Sequence, residues 1–380
     1  MKRIRALVVE DSATIRRYLV GVLAASSEFE VVGEAENGQQ AIRLCESLRP
    51  DVVTMDIMLP VMTGVAATEY IMAWCPTPIA IVSASVNRGE ALQTYDALAA
   101  GAVDVVEKPT ATESREQWEK TFLSRVRTVS RIKVITHPRG RLNGNSSGAP
   151  RPLLARGQVQ PAGAPFAVKP IPGTSLPANW PDASVRCIAI GASTGGPAAV
   201  ADILKVLPAD FPIPLLLVIH VSDQFAFALA EWLSTQSRLP VRFAQDGESL
   251  PQVGNPGVLL APAGRHLIIS GQSIRLVNRP ERHSCRPSVD ELFESVAVQM
   301  RPNAACVLLT GMGRDGASGL LRAREAGCLT IAQDEETSVV FGMPGEAIKL
   351  GAAALTLPLQ QIAPMLITLS SHIQLKGGYV

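Results

Sequence analysis

Two groups of residues in this chain could do chemistry. In the first, carboxylates follow short apolar runs: Glu10 and Asp11 after A-L-V-V, and Asp56 after V-V-T-M. Ser83 closes a third run, I-A-I-V-S, and Lys108 follows a fourth, V-D-V-V-E. Carboxylates gathered at one edge repel one another and need a cation. Oxygen-only ligands select a hard ion, and a shallow, wet site suits Mg²⁺. A carboxylate beside such an ion can accept a phosphoryl group, because the metal offsets charge on the transferred oxygens. Lys108 adds a further positive charge.

The second group starts at residues 187–197, C-I-A-I-G-A-S-T-G-G-P. A phosphate loop would need G-x-x-x-x-G-K-[ST], and no lysine follows Gly196. A dinucleotide turn would need G-x-G-x-x-G, which G-A-S-T-G-G does not supply. G-x-S-x-G does fit, between an apolar strand and a helix, which is where a nucleophilic serine is held. Ser193 then needs a base. Of His220, His266, His283 and His372, His220 closes the most apolar run, P-L-L-L-V-I-H, and the next parallel strand would end beside Ser193. An orienting carboxylate is available as Asp315, in the turn after V-L-L-T. Taken singly, each has a plain structural explanation: a Gly-Ser turn, a strand-end histidine, a turn aspartate. Their joint exit from parallel strands at one edge is what points to acyl transfer.

Both groups need α/β scaffolds to hold them. Residues 1–128 alternate β-rich runs (Arg5–Val9, Val31–Ala35, Val52–Met55, Ile79–Ser83, Val103–Glu107) with amphipathic helices. Five βα units predict a doubly wound parallel sheet, with chemistry at the carboxyl ends of its strands. Residues 129–184 read as a linker. They are rich in Gly, Pro and Ser, and no Asp or Glu occurs between 139 and 181. Residues 185–378 resume the alternation as a second, larger doubly wound α/β domain. A hairpin around Gly271-Gln272 is inserted in it.

The 380 residues suit two domains, and a net charge of +1 gives no basic stripe for nucleic acid. No helix-turn-helix pattern is visible. The six cysteines are scattered without a C-x-x-C pair, which argues against a zinc site or a disulfide framework and for free cytosolic thiols. The apolar run Ala6–Val9 is too short for a signal peptide, and no run approaches the ~20 residues of a membrane helix. A cytoplasmic protein without membrane insertion is expected.

The blocks L-V-V-E-D-S-A-T-I-R-R, V-T-M-D-I-M-L-P-V-M-T-G and A-G-A-V-D-V-V-E-K-P resemble response-regulator receiver domains. That resemblance implies Asp56 as phosphoacceptor. It implies Mg²⁺ ligation by Asp11, Asp56 and the Met58 carbonyl, with Glu10 assisting through water. Ser83 would be the switch hydroxyl and Lys108 the phosphate-sensing cation. Val105 stands where many receivers have a mobile aromatic residue.

Further on, I-A-I-G-A-S-T-G-G-P, R-P-S-V-D-E-L-F, V-L-L-T-G-M-G-R-D-G and Q-D-E-E-T-S-V-V-F-G-M-P-G-E-A-I are similar to the catalytic domain of the CheB protein-glutamate methylesterases. This implies Ser193 as nucleophile, His220 as general acid/base and Asp315 as its orienter. Backbone N–H groups near Thr194 and Met312 become oxyanion-hole candidates, and the ester chemistry needs no cofactor. The expected substrates are methylated chemotaxis receptors, with glutamine deamidation alongside, and the expected phosphodonor is a chemotaxis histidine kinase. Three departures stand out: V-S-D-Q-F replaces a Met-Pro-rich turn after His220, Gly345 replaces an arginine, and A-P-A-G-R-H varies from the usual A-P-G form. Those around His220 leave open an alternative, a receiver-controlled receptor-binding regulator without turnover.

Overall fold

In the computed structural model, the structure describes residues 2–84, 87–109, 114–132, 134, 185–221, 223–255 and 257–376. The N-terminal unit runs β1 (Ile4–Val9), α1 (Ala13–Ala25), β2 (Phe29–Ala35), α2 (Gly38–Leu48), β3 (Val52–Met55), α3 (Gly64–Trp74), β4 (Ile79–Ser83), α4 (Arg88–Ala99), β5 (Asp104–Glu107) and α5 (Arg115–Ser130). Its strands lie in the order β2-β1-β3-β4-β5, all parallel. Helices cover both faces, so β3 and β4 are buried throughout and read as largely apolar runs, broken only by Thr54 and the terminal Ser83. The order reverses between β1 and β3, where a doubly wound sheet opens its crevice. Asn87 starts α4 by accepting from Glu90 N at 2.9 Å, which fixes the first turn of that helix.

The C-terminal unit runs β6 (Cys187–Ala192), α6 (Gly196–Val206), β7 (Leu215–Ile219), α7 (Asp223–Gln236), β8 (Val241–Phe243), β9 (Val258–Leu260), β10 (His266–Ser270), β11 (Ser273–Val277), α8 (Val289–Gln299), β12 (Ala304–Leu308), α9 (Ala317–Glu325), β13 (Leu329–Gln333), α10 (Met343–Lys349), β14 (Leu355–Leu357) and α11 (Leu359–Lys376). Seven parallel strands lie in the order β14-β13-β12-β6-β7-β9-β8. β10 and β11 form the expected antiparallel hairpin, from His266↔Val277 to Ser270↔Ser273. β6 is central, and the chain leaves it toward β7 first and toward β12 later.

Some boundaries differ from the sequence reading. The edge strands β8 and β14 and the short helix α10 were not expected; three- and seven-residue elements are too short to show a period. β12 ends at Leu308 rather than Thr310, because Thr310 N donates to the Gln333 side chain at 2.8 Å instead of a neighbouring strand. α5 continues to Ser130, past the boundary at 128. The linker read over 129–184 lies, from residue 135 onward, outside the described residues. Among the described residues no helix is long and apolar enough to cross a membrane.

The two units meet along α4 and α7. Tyr95 stacks on Trp232 at 5.3 Å between ring centroids, and its hydroxyl donates to Phe225 O at 2.9 Å. Trp232 Nε1 donates to Asp96 Oδ1 at 2.9 Å, and Arg88 pairs with Glu231 at the exposed rim.

Candidate functional site

The pairing Val9↔Met55 brings the ends of β1 and β3 side by side, so Glu10 and Asp56 emerge together. Both are buried, Asp11 is exposed, and one carboxylate oxygen from each lies within 4.8 Å of the others. Lys108 enters from the end of β5, with Nζ 2.9 Å from Glu10 Oε2 and 3.0 Å from Asp56 Oδ2. Burial, then the negative charge of Asp56, pushes Glu10 up to about 7 against the pull of Lys108. Burial also raises Asp56, with Lys108 opposing. Burial alone would lower Lys108, but Asp56 and Glu10 outweigh it and raise it.

Glu10 Oε2 is buried without a well-directed hydrogen bond, although the Lys108 ammonium is close. Lys108 donates instead to Glu10 Oε1 at 3.2 Å, and an under-satisfied carboxylate oxygen beside two more carboxylates fits a hard divalent cation. Met58 lies in the turn after β3, its N–H directed to the Asp56 carboxylate.

Ser83, at the end of β4, is not turned to Asp56. Its hydroxyl donates to Glu90 Oε1 at 2.7 Å; Ala84 N reaches the same oxygen at 2.9 Å, and Thr94 Oγ1 donates back to Ser83 Oγ at 3.3 Å. Ser83 is thus tied to α4, the helix whose Tyr95 touches the other unit.

In the C-terminal unit the pairing Ala192↔Ile219 places Ser193 and His220 at neighbouring strand ends, and His220 N donates to Ala192 O at 2.9 Å. Gly195 turns the chain at φ +77°, a conformation that favours glycine, and a Cβ there would approach Val339 at 2.6 Å. α6 then begins with Pro197 in its first turn.

Asp315 comes from the opposite side of β6. Its Oδ2 lies 2.9 Å from His220 Nε2 and accepts from Val289 N at 2.7 Å. Its Oδ1 accepts from Ser288 Oγ at 2.7 Å and Asp290 N at 3.2 Å. The carboxylate therefore sits on the N-terminus of α8, where free N–H groups favour an anion. Burial would raise its pKa; His220, Ser288 and Val289 outweigh this and hold it below the usual range. Burial would lower His220, but Asp315 and Cys285 bring it up to about 9. With Nε2–H directed at the carboxylate, Nδ1 is the nitrogen that carries the lone pair once the ring is neutral. It faces Cys285 Sγ at 3.6 Å. Ser193 and His220 share one cavity but, among the described residues, make no hydrogen bond to each other.

The Thr194 and Met312 N–H groups have no hydrogen-bond partner among the described residues, which leaves them available to an oxyanion. The turn that carries Thr194 is braced by Thr310, whose hydroxyl donates to Thr194 O at 3.0 Å.

Three residues near this constellation carried no assigned role in the sequence reading. Ser288 orients Asp315. His266, fully buried, accepts from Ser288 N at 3.1 Å through Nδ1 and donates to Pro280 O at 3.1 Å through Nε2, which fixes it as a neutral tautomer. Cys285 is the third. The block R-P-S-V-D-E-L-F contained a signal for Ser288, but nothing in its spacing showed which carboxylate it would reach. Of the departures, Gly345 backs onto the Phe341 ring, where a Cβ would come within 3.2 Å.

A cavity of about 630 Å³ joins Ser193, Thr194, His220, Cys285 and Met312. Its other wall belongs to the N-terminal unit, including Tyr95, Val105 and Arg125. One unit thus covers the other's candidate active site.

Residues 188–366 match the family model described as CheB methylesterase, and residues 6–117 match the response regulator receiver domain. The chain is 43% identical over 362 residues to "Protein-glutamate methylesterase/protein-glutamine glutaminase 1" of Cupriavidus pinatubonensis (strain JMP 134 / LMG 1197), covering 95% of this chain and 96% of that one. It is 42% identical over 359 residues to a protein of the same name, numbered 2, from Anaeromyxobacter dehalogenans (strain 2CP-C), covering 94% and 95%. Among solved structures, the Thermotoga maritima CheB methylesterase catalytic domain is 37% identical, covers 49% of this chain and 99% of that chain, and has a TM-score of 0.47.

Proposed function

The chain belongs to the CheB methylesterase family, with a response-regulator receiver domain ahead of the esterase, and from that premise we propose that it is a phosphorylation-controlled protein-glutamate methylesterase. Its substrates are methylated glutamates of chemotaxis receptors, with glutamine deamidation in the same site. It acts in the cytoplasm, and a chemotaxis histidine kinase supplies the phosphoryl group. The observation that carries the catalytic reading is the 2.9 Å contact of His220 with Asp315 in the cavity that also holds Ser193.

Ser193 attacks the γ-carbonyl of the ester while His220 takes the hydroxyl proton at Nδ1. Asp315 keeps Nε2 protonated and stabilises the imidazolium as it forms. The Thr194 and Met312 N–H groups receive the developing oxyanion. His220 returns the proton to the departing methanol, then activates the water that cleaves the acyl-enzyme. An amide enters the same cycle and releases ammonia.

In the receiver, Asp56 is the phosphoacceptor. Glu10, Asp11, Asp56 and the Met58 carbonyl would hold Mg²⁺, which when bound offsets charge on the phosphoryl oxygens. Lys108 neutralises the acceptor from the other side. Capture of the Ser83 hydroxyl by the phosphoryl group would release Glu90, loosen α4 and uncover the esterase cavity. A regulator without turnover would not need His220 and Asp315 held in register at that cavity.

Methanol release from methylated receptor membranes tests the reading. It should be abolished by Ser193→Ala and raised by a phosphodonor. Equal rates for wild type and Ser193→Ala would overturn the catalytic assignment.

A further inference from the structure

Cys285 differs from the other five cysteines. Those are buried, whereas Cys285 is half-buried and lines the esterase cavity. It is aimed by a tight turn in which Arg282 and Cys285 exchange backbone hydrogen bonds at 3.1 and 2.9 Å, and Arg282 clamps Glu294 of α8 at 2.7 and 2.8 Å. Its Sγ is 3.6 Å from His220 Nδ1, and ligand atoms of His220, Cys285 and Asp315 all lie within 4.8 Å of one another.

We propose that Cys285 and His220 form a reversible zinc site that silences the esterase. Zinc–sulfur bonds of about 2.3 Å and zinc–nitrogen bonds of about 2.0–2.1 Å at a tetrahedral angle place sulfur and nitrogen about 3.6 Å apart. The observed separation already matches that edge. Zn²⁺ displaces two protons to solvent, one from the thiol and, where the ring is charged, one from Nδ1, and forms a bond to the thiolate. The Nδ1 lone pair forms the second bond. Nε2–H remains on Asp315, giving the carboxylate–histidine–metal arrangement that orients imidazole ligands in zinc centres. The remaining positions open into the cavity, to water and to the Ser193 side.

The ligand types set the choice of metal. Thiolate with imidazole suits Zn²⁺ or Co²⁺, whereas the all-oxygen cluster in the receiver suits a hard ion. The functional consequence rests on His220 being the base: its lone pair is consumed by the metal, so Ser193 cannot be deprotonated. No spacing motif announces the site, because its ligands lie 65 residues apart.

The test uses the full-length protein stripped of metal. Titration with Co²⁺ should produce a thiolate-to-cobalt charge-transfer absorption in the near ultraviolet that saturates at one equivalent and is erased by Zn²⁺. The receiver carboxylates have no sulfur and cannot give this band. It should be absent in Cys285→Ser. Methylesterase activity should fall with Zn²⁺ and return with chelator. The half-inhibiting Zn²⁺ concentration should rise at least tenfold in Cys285→Ser, each protein being compared with its own metal-free rate. No band in the wild type, or an equal band in Cys285→Ser, overturns the site. A band without inhibition overturns the silencing. A Cys285-dependent band in a chain that never releases methanol supports the metal site and instead removes the esterase reading.

Discussion

Tyr95 of the receiver lies flat against Trp232 of the esterase, and its hydroxyl caps a carbonyl in the first turns of the same helix. α7 begins three residues after His220, so this contact holds the cover next to that histidine. Such an aromatic pair contributes about 0.5–1.5 kcal/mol beyond its buried area. Tyr95→Ala should therefore raise methylesterase activity without phosphodonor by about two- to tenfold and narrow the gain on phosphorylation. Methanol release with and without acetyl phosphate measures this; an unchanged basal rate in a folded variant would sink it.

Asp315 has two duties, one to the His220 ring and one to the N-terminus of α8. Asp315→Asn should lower kcat by about 10⁴, as loss of the orienting carboxylate does in other triads. Ser288→Ala removes only one hydrogen bond to that carboxylate. It should lower kcat by about fivefold, for a loss of ~1 kcal/mol, and leave KM unmoved. A change confined to KM would show that Ser288 contacts substrate and does not position Asp315.

The imidazole must be neutral to act as a base, and His220 is held up to about 9. Below that pH the protonated form dominates, so log kcat/KM should rise with pH by about one per unit between 7 and 8 and level off above 9. Asp315 and Cys285 touch the ring, and Glu281, His283 and Arg286 lie on the same cavity wall. Cys285→Ala removes one support of the imidazolium and should move the limb to lower pH. A limb centred near 6.5 in the wild type would contradict this electrostatic picture.

Glu90 holds the Ser83 hydroxyl at 2.7 Å in the arrangement seen here. A phosphoryl group on Asp56 must compete with that bond for the hydroxyl. Glu90→Ala removes the competitor, a charged hydrogen bond of ~1.5 kcal/mol, and should lower the half-activating acetyl phosphate concentration by about tenfold. Asp56→Asn should abolish the response altogether. Equal activation curves for Glu90→Ala and wild type would show that Ser83 is not restrained.

The neighbourhood of Ser193 and His220 was legible because consecutive parallel strands joined by one helix usually lie side by side. The carboxylate cluster was legible for the same reason: strand ends collect at one edge. Asp315 was visible as a turn aspartate. Its seat on α8 was not, since that helix precedes it by 25 residues and packs across the sheet. The Cys285–His220 contact and the Tyr95–Phe225 bond, 65 and 130 residues apart, depend on how loops and units pack, which no local period encodes. Edge strands β8 and β14 escaped because three residues cannot display alternation.

The cavity between the units also bears on what can enter. The receiver supplies one wall of the space that holds Ser193, and an α-helix with its side chains is about 10–12 Å across. A free amino-acid ester is far smaller than an ester borne on a helix, so that wall should screen substrates by size. Small esters should then report the competence of Ser193 and His220, large ones the position of the receiver, and the ratio of the two rates the conformational equilibrium.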